Sequence, residues 1–296
     1  MFADRFTLED VEAVCTSDDL PAAHALDVLA SLVDKSLVMK EDAKGLACYR
    51  LHETMREYTR LEVQAAGEED LVERRCADYY WSRCQRSGAE ARYGLLEWLE
   101  WMDLEIDNVR SVLRRCLIHA DFPRGVDLAS SLGWYWITRA TTEGVRWLDE
   151  LLASGGGHPK AHASVYFIRG FLAVLQSDPT AAKPALERAV AAAREAGQLR
   201  LLSQSLAMAS IAENMAGDRA SARRLLTEAQ GITAGLDDLP ATLMLLQARA
   251  LNGLFEGDLD AVRSASSEGA RLSRQTDDLY SLEMMLINLA GESASA

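Results

Sequence analysis

A forty-residue recurrence in the second half of the chain constrains the fold more than any other feature. Asp178, Asp218 and Asp258 fall at steps of 40, the last two preceded by Gly217 and Gly257. The residues that follow recur in phase: Ala181, Ser221 and Ala261; Ala182, Ala222 and Val262; Ala185, Leu225 and Ala265; Ala189, Ala229 and Gly269. The segments before them repeat too, with Leu199, Leu239 and Leu279 in register and Leu206, Leu246 and Leu286 behind them. Each of these segments opens after a polar pair, Gly197-Gln198, Asp237-Asp238 or Asp277-Asp278. A degenerate copy, Thr142 to Leu148, lies 38 residues before Thr180 to Leu186. Such a period marks one supersecondary unit stacked many times.

The pattern predicts helix A, a Gly-Asp turn, helix B and a polar turn in each unit. Gly before Asp suits a helix C-terminus that needs positive φ, and Asp then caps the next helix. Small residues on helix B let backbones approach closely, while Leu and Met on helix A fill the space between hairpins. One hairpin cannot bury its apolar face alone, so the units must stack. The repeat resembles the tetratricopeptide family over residues 121–296, in the longer form found in large bacterial regulators. The family's fuller Trp-Leu-Gly-Tyr pattern is absent, and an irregular helical bundle is the alternative. Leu279 to Leu289 starts a helix A with no helix B after it. With nothing packed there, Leu282, Met285, Leu286 and Leu289 are expected to be exposed and to favour weak self-association.

The first quarter has a different rhythm. Thr7, with Asp10 three residues on, predicts a capped short helix to Cys15. Asp18-Asp19 and Pro21 mark a turn before Ala25, Leu26, Leu29, Leu32 and Val33, an apolar face at helical spacing. Ser36 to Met39 reads as a strand, Glu41 to Gly45 as a turn, Cys48 to Leu51 as a second strand, and His52 to Ala65 as helix. Helix, helix, hairpin, helix is the plan of a winged helix lacking its first helix.

Leu32-Val33-Asp34-Lys35-Ser36-Leu37-Val38 and Tyr49-Arg50-Leu51-His52-Glu53-Thr54-Met55-Arg56-Glu57-Tyr58 carry a closer resemblance. So do Phe6-Thr7-Leu8-Glu9, Glu12-Ala13-Val14-Cys15, and Trp98-Leu99 with Glu105 and Asp107-Asn108-Val109-Arg110. Together they resemble the signal-transduction ATPases with numerous domains, in the branch of LuxR-type and AfsR-type bacterial regulators. The resemblance implies a nucleotide-binding domain, then this winged helix, then tetratricopeptide repeats. It also implies that the winged helix packs on the nucleotide domain as an intramolecular clamp. The chain departs from the family in lacking a G-x-x-x-x-G-K-[ST] phosphate loop. Gly155-Gly156-Gly157-His158-Pro159-Lys160 lacks the Gly-Lys pair and reads as an inter-repeat loop. ATPase activity and the C-terminal DNA-binding domain of LuxR-type members therefore do not carry over. Both ends read as cut, as in a fragment, a gene remnant or half of a split regulator. The expected organisation is a partial winged helix at 1–66, a helical bridge at 67–120 and repeats at 121–296, a mainly α chain with one β-hairpin and an α-hairpin solenoid.

Charge decides what such a chain can hold. The formal net charge is −14, which opposes phosphate backbones and anionic membrane surfaces. Residues 1–66 hold seven Lys or Arg against thirteen acids. The helix in the recognition position, Pro21 to Ser36, has Lys35 as its one base, beside Asp27 and Asp34, whereas reading a groove takes Arg, Lys, Asn or Gln aimed at base edges. DNA binding by this module is disfavoured. No apolar run approaches the ~20 residues that span a bilayer, and the acidic start, Met1 to Asp10, is unlike a signal peptide. A cytoplasmic location is expected.

Reactive groups are sparse. Five cysteines without a C-x-x-C pair predict buried thiols rather than disulfides or zinc. His158 and His162 are four apart, but Pro159 intervenes and no third metal ligand is evident. His52 beside Glu53 reads as surface. No nucleophile motif is present. The expectation is a non-enzymatic interaction and regulatory module with no cofactor and no metal. Its partner is a protein or peptide, or a separate nucleotide-binding domain. The alternatives are a DNA-acting transcription regulator and a subunit of a split ATPase. The concave side of the stack is expected to grip the partner through Tyr166, Arg169, Gln204, Ser205, Met244 and Gln247. Trp134, Trp136 and Trp147 form either an aromatic pocket or core.

Overall fold

The computed structural model describes residues 2–17, 20–43, 45–154 and 159–295, with the side chains of all of these but 89, 159–162 and 293–295. The chain is mainly helical, with one two-stranded antiparallel hairpin followed by a series of helical hairpins. It divides into two compact units, Met1–Arg86 with Trp98–His119, and Ser87–Glu97 with Ala120–Ala296.

The first unit holds α1 (Leu8–Cys15), α2 (Ala22–Asp34), β1 (Val38–Ala43), β2 (Leu46–Leu51), α3 (Glu53–Ala65) and most of α4 (Glu69–Glu90) and α5 (Leu95–Ile118). Thr7 and Asp10 close a reciprocal capping box on α1. The strands run further into the connection than the Glu41 to Gly45 turn suggested, since Glu41, Asp42 and Ala43 pair with Cys48, Ala47 and Leu46. Gly45 supplies the left-handed residue at φ +81°, and its N–H donates to Asp42 Oδ1 at 2.9 Å. At the other end Ser36 takes φ 56°, so pairing starts at Val38 rather than Ser36. Asp18, Asp19 and Lys44 lie outside the described residues. The core gathers Val14, Leu29, Val38, Tyr80, Cys84, Met102, Val109 and Leu113.

The second unit continues with α6 (Phe122–Ser131), α7 (Gly133–Thr138), α8 (Thr141–Ala153), α9 (Pro159–Leu175), α10 (Pro179–Glu195), α11 (Leu199–Met215), α12 (Arg219–Thr233), α13 (Leu239–Glu256), α14 (Leu259–Thr276) and α15 (Leu279–Ser295). Helices pair as α9 with α10, α11 with α12 and α13 with α14, and α15 packs on α14. The forty-residue punctuation does what its chemistry suggests. Asp178 caps α10 by accepting from the Thr180 and Ala181 N–H groups, Asp218 caps α12 from Ser221, and Asp258 caps α14 from Ala261, each bond 3.0–3.1 Å. Gly217 and Gly257 adopt φ +88° and +77° just before the last two.

Close helix approach rests on residues without bulk. A Cβ on Gly144 of α8 would lie 2.6 Å from Trp136 Cβ and 2.7 Å from its Cγ. Trp136 is fully buried, with its indole N–H donating to the Ala129 carbonyl at 3.0 Å, so it cannot retreat. Gly144→Ala should therefore cost about 1–3 kcal/mol in urea unfolding, the usual penalty of overpacking. Gly231→Ala is the control: a Cβ there meets nothing within 4 Å, and a gain of about 0.5–1 kcal/mol is expected from a helical Gly→Ala change. Equal midpoints for both variants would show that the α7–α8 contact is loose.

The last helix differs from expectation. Met285 is fully buried, seated over Gly269, and Leu282 packs with Leu246, Ala250, Ala265 and Ala270. The small residues of α14 leave a slot that α15 fills by itself. Leu289 is half-buried and Leu286 is exposed, as is its neighbour Ile287. Among the described residues, no helix is long and apolar enough to cross a membrane.

Candidate functional site

The A-type helices turn equivalent residues to one place. Phe171, Ile211 and Leu251, each forty residues from the next, come from α9, α11 and α13 and line a single cavity of about 260 Å³. Met244 and Met284, another pair forty apart, join them from α13 and α15. The period thus places like positions on one inner face.

Aromatic rings close this face at the α7 side. Trp134 meets Tyr280 edge-on with centroids 5.2 Å apart, and Tyr280 meets Phe171 in the same manner at 6.3 Å. Burial pushes the Tyr280 hydroxyl far above the usual phenol range. The Arg92 guanidinium lies over the Trp134 ring at 5.5 Å. Its Nε donates to Asp278 Oδ2 at 2.5 Å and its Nη2 to Ser281 Oγ at 3.1 Å. Asp278 is fully buried and its other oxygen accepts from the Ser281 N–H at 3.0 Å, so one carboxylate both caps α15 and neutralises Arg92. On the far wall Asn288 Nδ2 donates to Gln247 Oε1 at 3.0 Å.

A second recess of about 500 Å³ is more polar and is lined in part by Arg200, Gln204 and Asp238, with Arg200 Nε 2.5 Å from Asp238 Oδ2. The first unit has a cavity of about 620 Å³ beside α3 and α4. Among its charged lining residues Arg60 pairs with Glu57 and Arg115 with Glu73.

The residues singled out from sequence separate. Met244 and Gln247 line the inner cavity and Gln204 the polar recess. Ser205 is fully buried, and its hydroxyl has no hydrogen-bond partner among the described residues, so it is out of reach of a partner protein. Arg169 is bidentate to Asp149, at 2.6 and 3.3 Å, and Tyr166 lies under Arg188, 5.7 Å from its ring centroid; neither lines the cavity. Trp134 reaches the cavity, but Trp136 and Trp147 are interior, Trp147 donating to Glu143 at 3.1 Å. The three tryptophans do not form a pocket together; Phe171 and Tyr280 take the other two places. Gly155 to His158 and the side chains of Lys160 and His162 lie outside the described residues. His52 and Glu53 are exposed at the start of α3.

No disulfide joins the cysteines. Cys48, Cys76, Cys84 and Cys116 are buried, whereas Cys15 is exposed, against the expectation for all five. Burial pushes the Cys76 thiol up to about 11 and the Cys84 thiol up to about 12, values at which neither is a ready nucleophile.

No protein-family model matches the chain. It is similar to proteins provisionally named HTH-type transcriptional regulator in Mycobacterium tuberculosis and Mycobacterium bovis, 28% identical over 289 residues. The match covers 94% of this chain and 32% of theirs, so the chain spans about a third of the length of these relatives. An uncharacterized protein of Mycobacterium tuberculosis is 37% identical over 73 residues, 24% of this chain and 19% of its own length.

Proposed function

We propose that the chain is a non-catalytic interaction and regulatory module, corresponding to the winged-helix and tetratricopeptide portion of a LuxR-type or AfsR-type transcription regulator. The observation that carries this reading is the similarity along 94% of the chain to proteins named as transcription regulators. Residues 1–66 act as a partial winged helix, 67–120 as a helical bridge and 121–296 as the repeat array. The partner is a protein surface, with a separately encoded nucleotide-binding domain the leading candidate, and the module works in the cytoplasm.

The face of α2 supports protein rather than DNA as the partner. Leu26 and Val28 are exposed on opposite flanks of the buried Ala25 and Leu29, with His24 and Asp27 also exposed. Lys35, the one base of the segment, lies beyond the helix end as its C-cap. Exposed apolar and acidic side chains suit a protein surface better than a phosphate backbone. On the second unit Tyr166, Arg169 and Gln204 remain partly exposed and offer polar contacts.

Depleting the chain in its host should shift transcript levels, and re-expression should restore them. A Tyr166→Ala/Arg169→Ala/Gln204→Ala variant with native helical circular dichroism should restore nothing. Unaltered transcripts after depletion would remove the regulatory reading, and full rescue by the triple variant would remove those three positions. The DNA-acting alternative, favoured by the relatives' names, is tested by gel shift of the whole chain at physiological salt. No retarded band is expected.

A further inference from the structure

The inner cavity of the second unit has the properties of a small-molecule site, a feature independent of the partner reading above. Its size sets the first limit. About 260 Å³ exceeds the roughly 150 Å³ that accepts benzene in an engineered cavity. It falls far short of a peptide helix, which is about 10–12 Å across with its side chains. The room is that of one or two fused rings.

Charge sets the second limit. Among the described residues Arg92 is the one charged side chain lining the cavity, and buried Asp278 neutralises it at 2.5 Å. A guest anion would have to compete with that carboxylate, and a guest cation would meet no unpaired acid. The guest is therefore neutral.

The walls set the third limit. Aromatic edges from Trp134, Phe171 and Tyr280 suit a flat ring. Methionines, here Met208, Met244 and Met284, adapt to its outline and make favourable sulfur–ring contacts. The wall also has one polar feature. Asn288 is 3% exposed and spends its amide donor on Gln247. The Asn288 Oδ1 acceptor and the Gln247 Nε2 donor bond to no other described side chain or backbone group. Turning both amides over leaves the same inventory, one acceptor and one amide donor group, in a largely apolar wall. Gln247 is half-buried, and neither atom is sealed from solvent, so both are open to take a hydrogen bond from a guest in place of water.

We propose that the second unit binds a neutral aromatic molecule of one or two rings bearing a single hydroxyl or amide, the rings set among Trp134, Phe171 and Tyr280 and the polar group on the Gln247–Asn288 pair. Such a molecule touches α7, α9, α13 and α15 together. It ties the last helix of the array to the earliest ones, which makes the cavity a natural input for a chemical signal.

The test uses the full chain and 2-naphthol as the probe, followed by calorimetric titration. Saturable binding at one site per chain is expected, with a rise in melting temperature at saturation. Naphthalene-2-sulfonate, with the same rings and a charge, should bind at least about tenfold more weakly, since a desolvated unpaired charge is heavily penalised. Met244→Trp fills the cavity and should abolish binding. Gln247→Met removes one hydrogen-bonding arm and should weaken 2-naphthol by about five- to tenfold while leaving naphthalene unchanged. Absence of saturable heat to the solubility limit would overturn the proposal, as would equal affinity for the sulfonate. Native-like binding by a folded Met244→Trp chain would place the probe elsewhere and also overturn it. If Met244→Trp does not fold, the naphthol-to-naphthalene ratio in Gln247→Met decides: an unchanged ratio refutes the site.

Discussion

Arg92→Ala should destabilise the second unit by about 3–5 kcal/mol, the cost of stranding a buried charge. The reason lies in Asp278. Its carboxylate is fully buried, and Arg92, only 12% exposed, is its ion-pair partner at 2.5 Å. Removing the guanidinium leaves the negative charge in a low-dielectric interior, where among the described residues the Ser281 N–H remains as its hydrogen-bond donor. The variant also loses the bond to Ser281 Oγ and the stacking over Trp134. An Arg92→Ala/Asp278→Asn double variant separates these contributions. The amide oxygen still caps α15 but carries no charge, so the double variant should recover at least about half of the loss, as expected when the penalty comes from the uncompensated partner. Urea unfolding of both variants checks the claim, and hydrogen exchange should show α15 opening first in Arg92→Ala. A single variant within about 1 kcal/mol of the native chain, the range of an exposed pair, would mean that the pair is not buried in solution.

This pair shows where sequence reading stops. Asp278 is visible as half of a polar pair that opens a helix, because capping is local chemistry and repeats at a fixed offset. Its partner is 186 positions away, one of 31 Lys or Arg residues, and nothing local distinguishes it. The hairpins were legible for the same reason as the caps: Gly-Asp turns and alanine-rich helices act within a few residues. The cavity was half legible. Phe171, Ile211 and Leu251 stand forty apart in the sequence, but only the rotation of each helix shows that they converge. Without that rotation Ser205, now buried, could not be told from its neighbour Gln204, which lines a recess. The cluster of tryptophans likewise indicated an aromatic region but not which rings face inward. Trp136 went to the core, and Tyr280, far along the chain, took a place in the cavity.

The first unit should grow less stable as pH rises from about 4.5 to 7, and Glu105 is the cause. Its side chain is 1% exposed and accepts from Tyr80 and Asn108, each at 3.1 Å. Burial, and then the nearby Asp10 carboxylate, push its carboxyl up to about 7, against the weaker opposing pull of Asn108, Arg83 and Tyr80. Asp10 itself is fully buried, accepting from Tyr79 at 2.6 Å and Arg83 at 3.0 Å while it completes the cap on α1. Between the ordinary carboxyl value and about 7 the folded unit holds a proton that the unfolded chain has released. The folded state therefore loses ground as pH climbs through that window, at about 1.4 kcal/mol per pH unit, or about 3 kcal/mol in all. Glu105→Gln keeps an oxygen for Tyr80 and Asn108 and removes the titration. The two chains should be about equally stable near pH 5. By pH 8 the variant should lead by about 2–3 kcal/mol, the same linkage read from the other side. Comparing the chains at each pH cancels every other titrating group. A difference that does not vary with pH would show that Glu105 is ionised in the fold throughout. A variant weaker than the native chain at pH 8 would show that the carboxylate stabilises the unit through Arg83 more than burial and Asp10 oppose it.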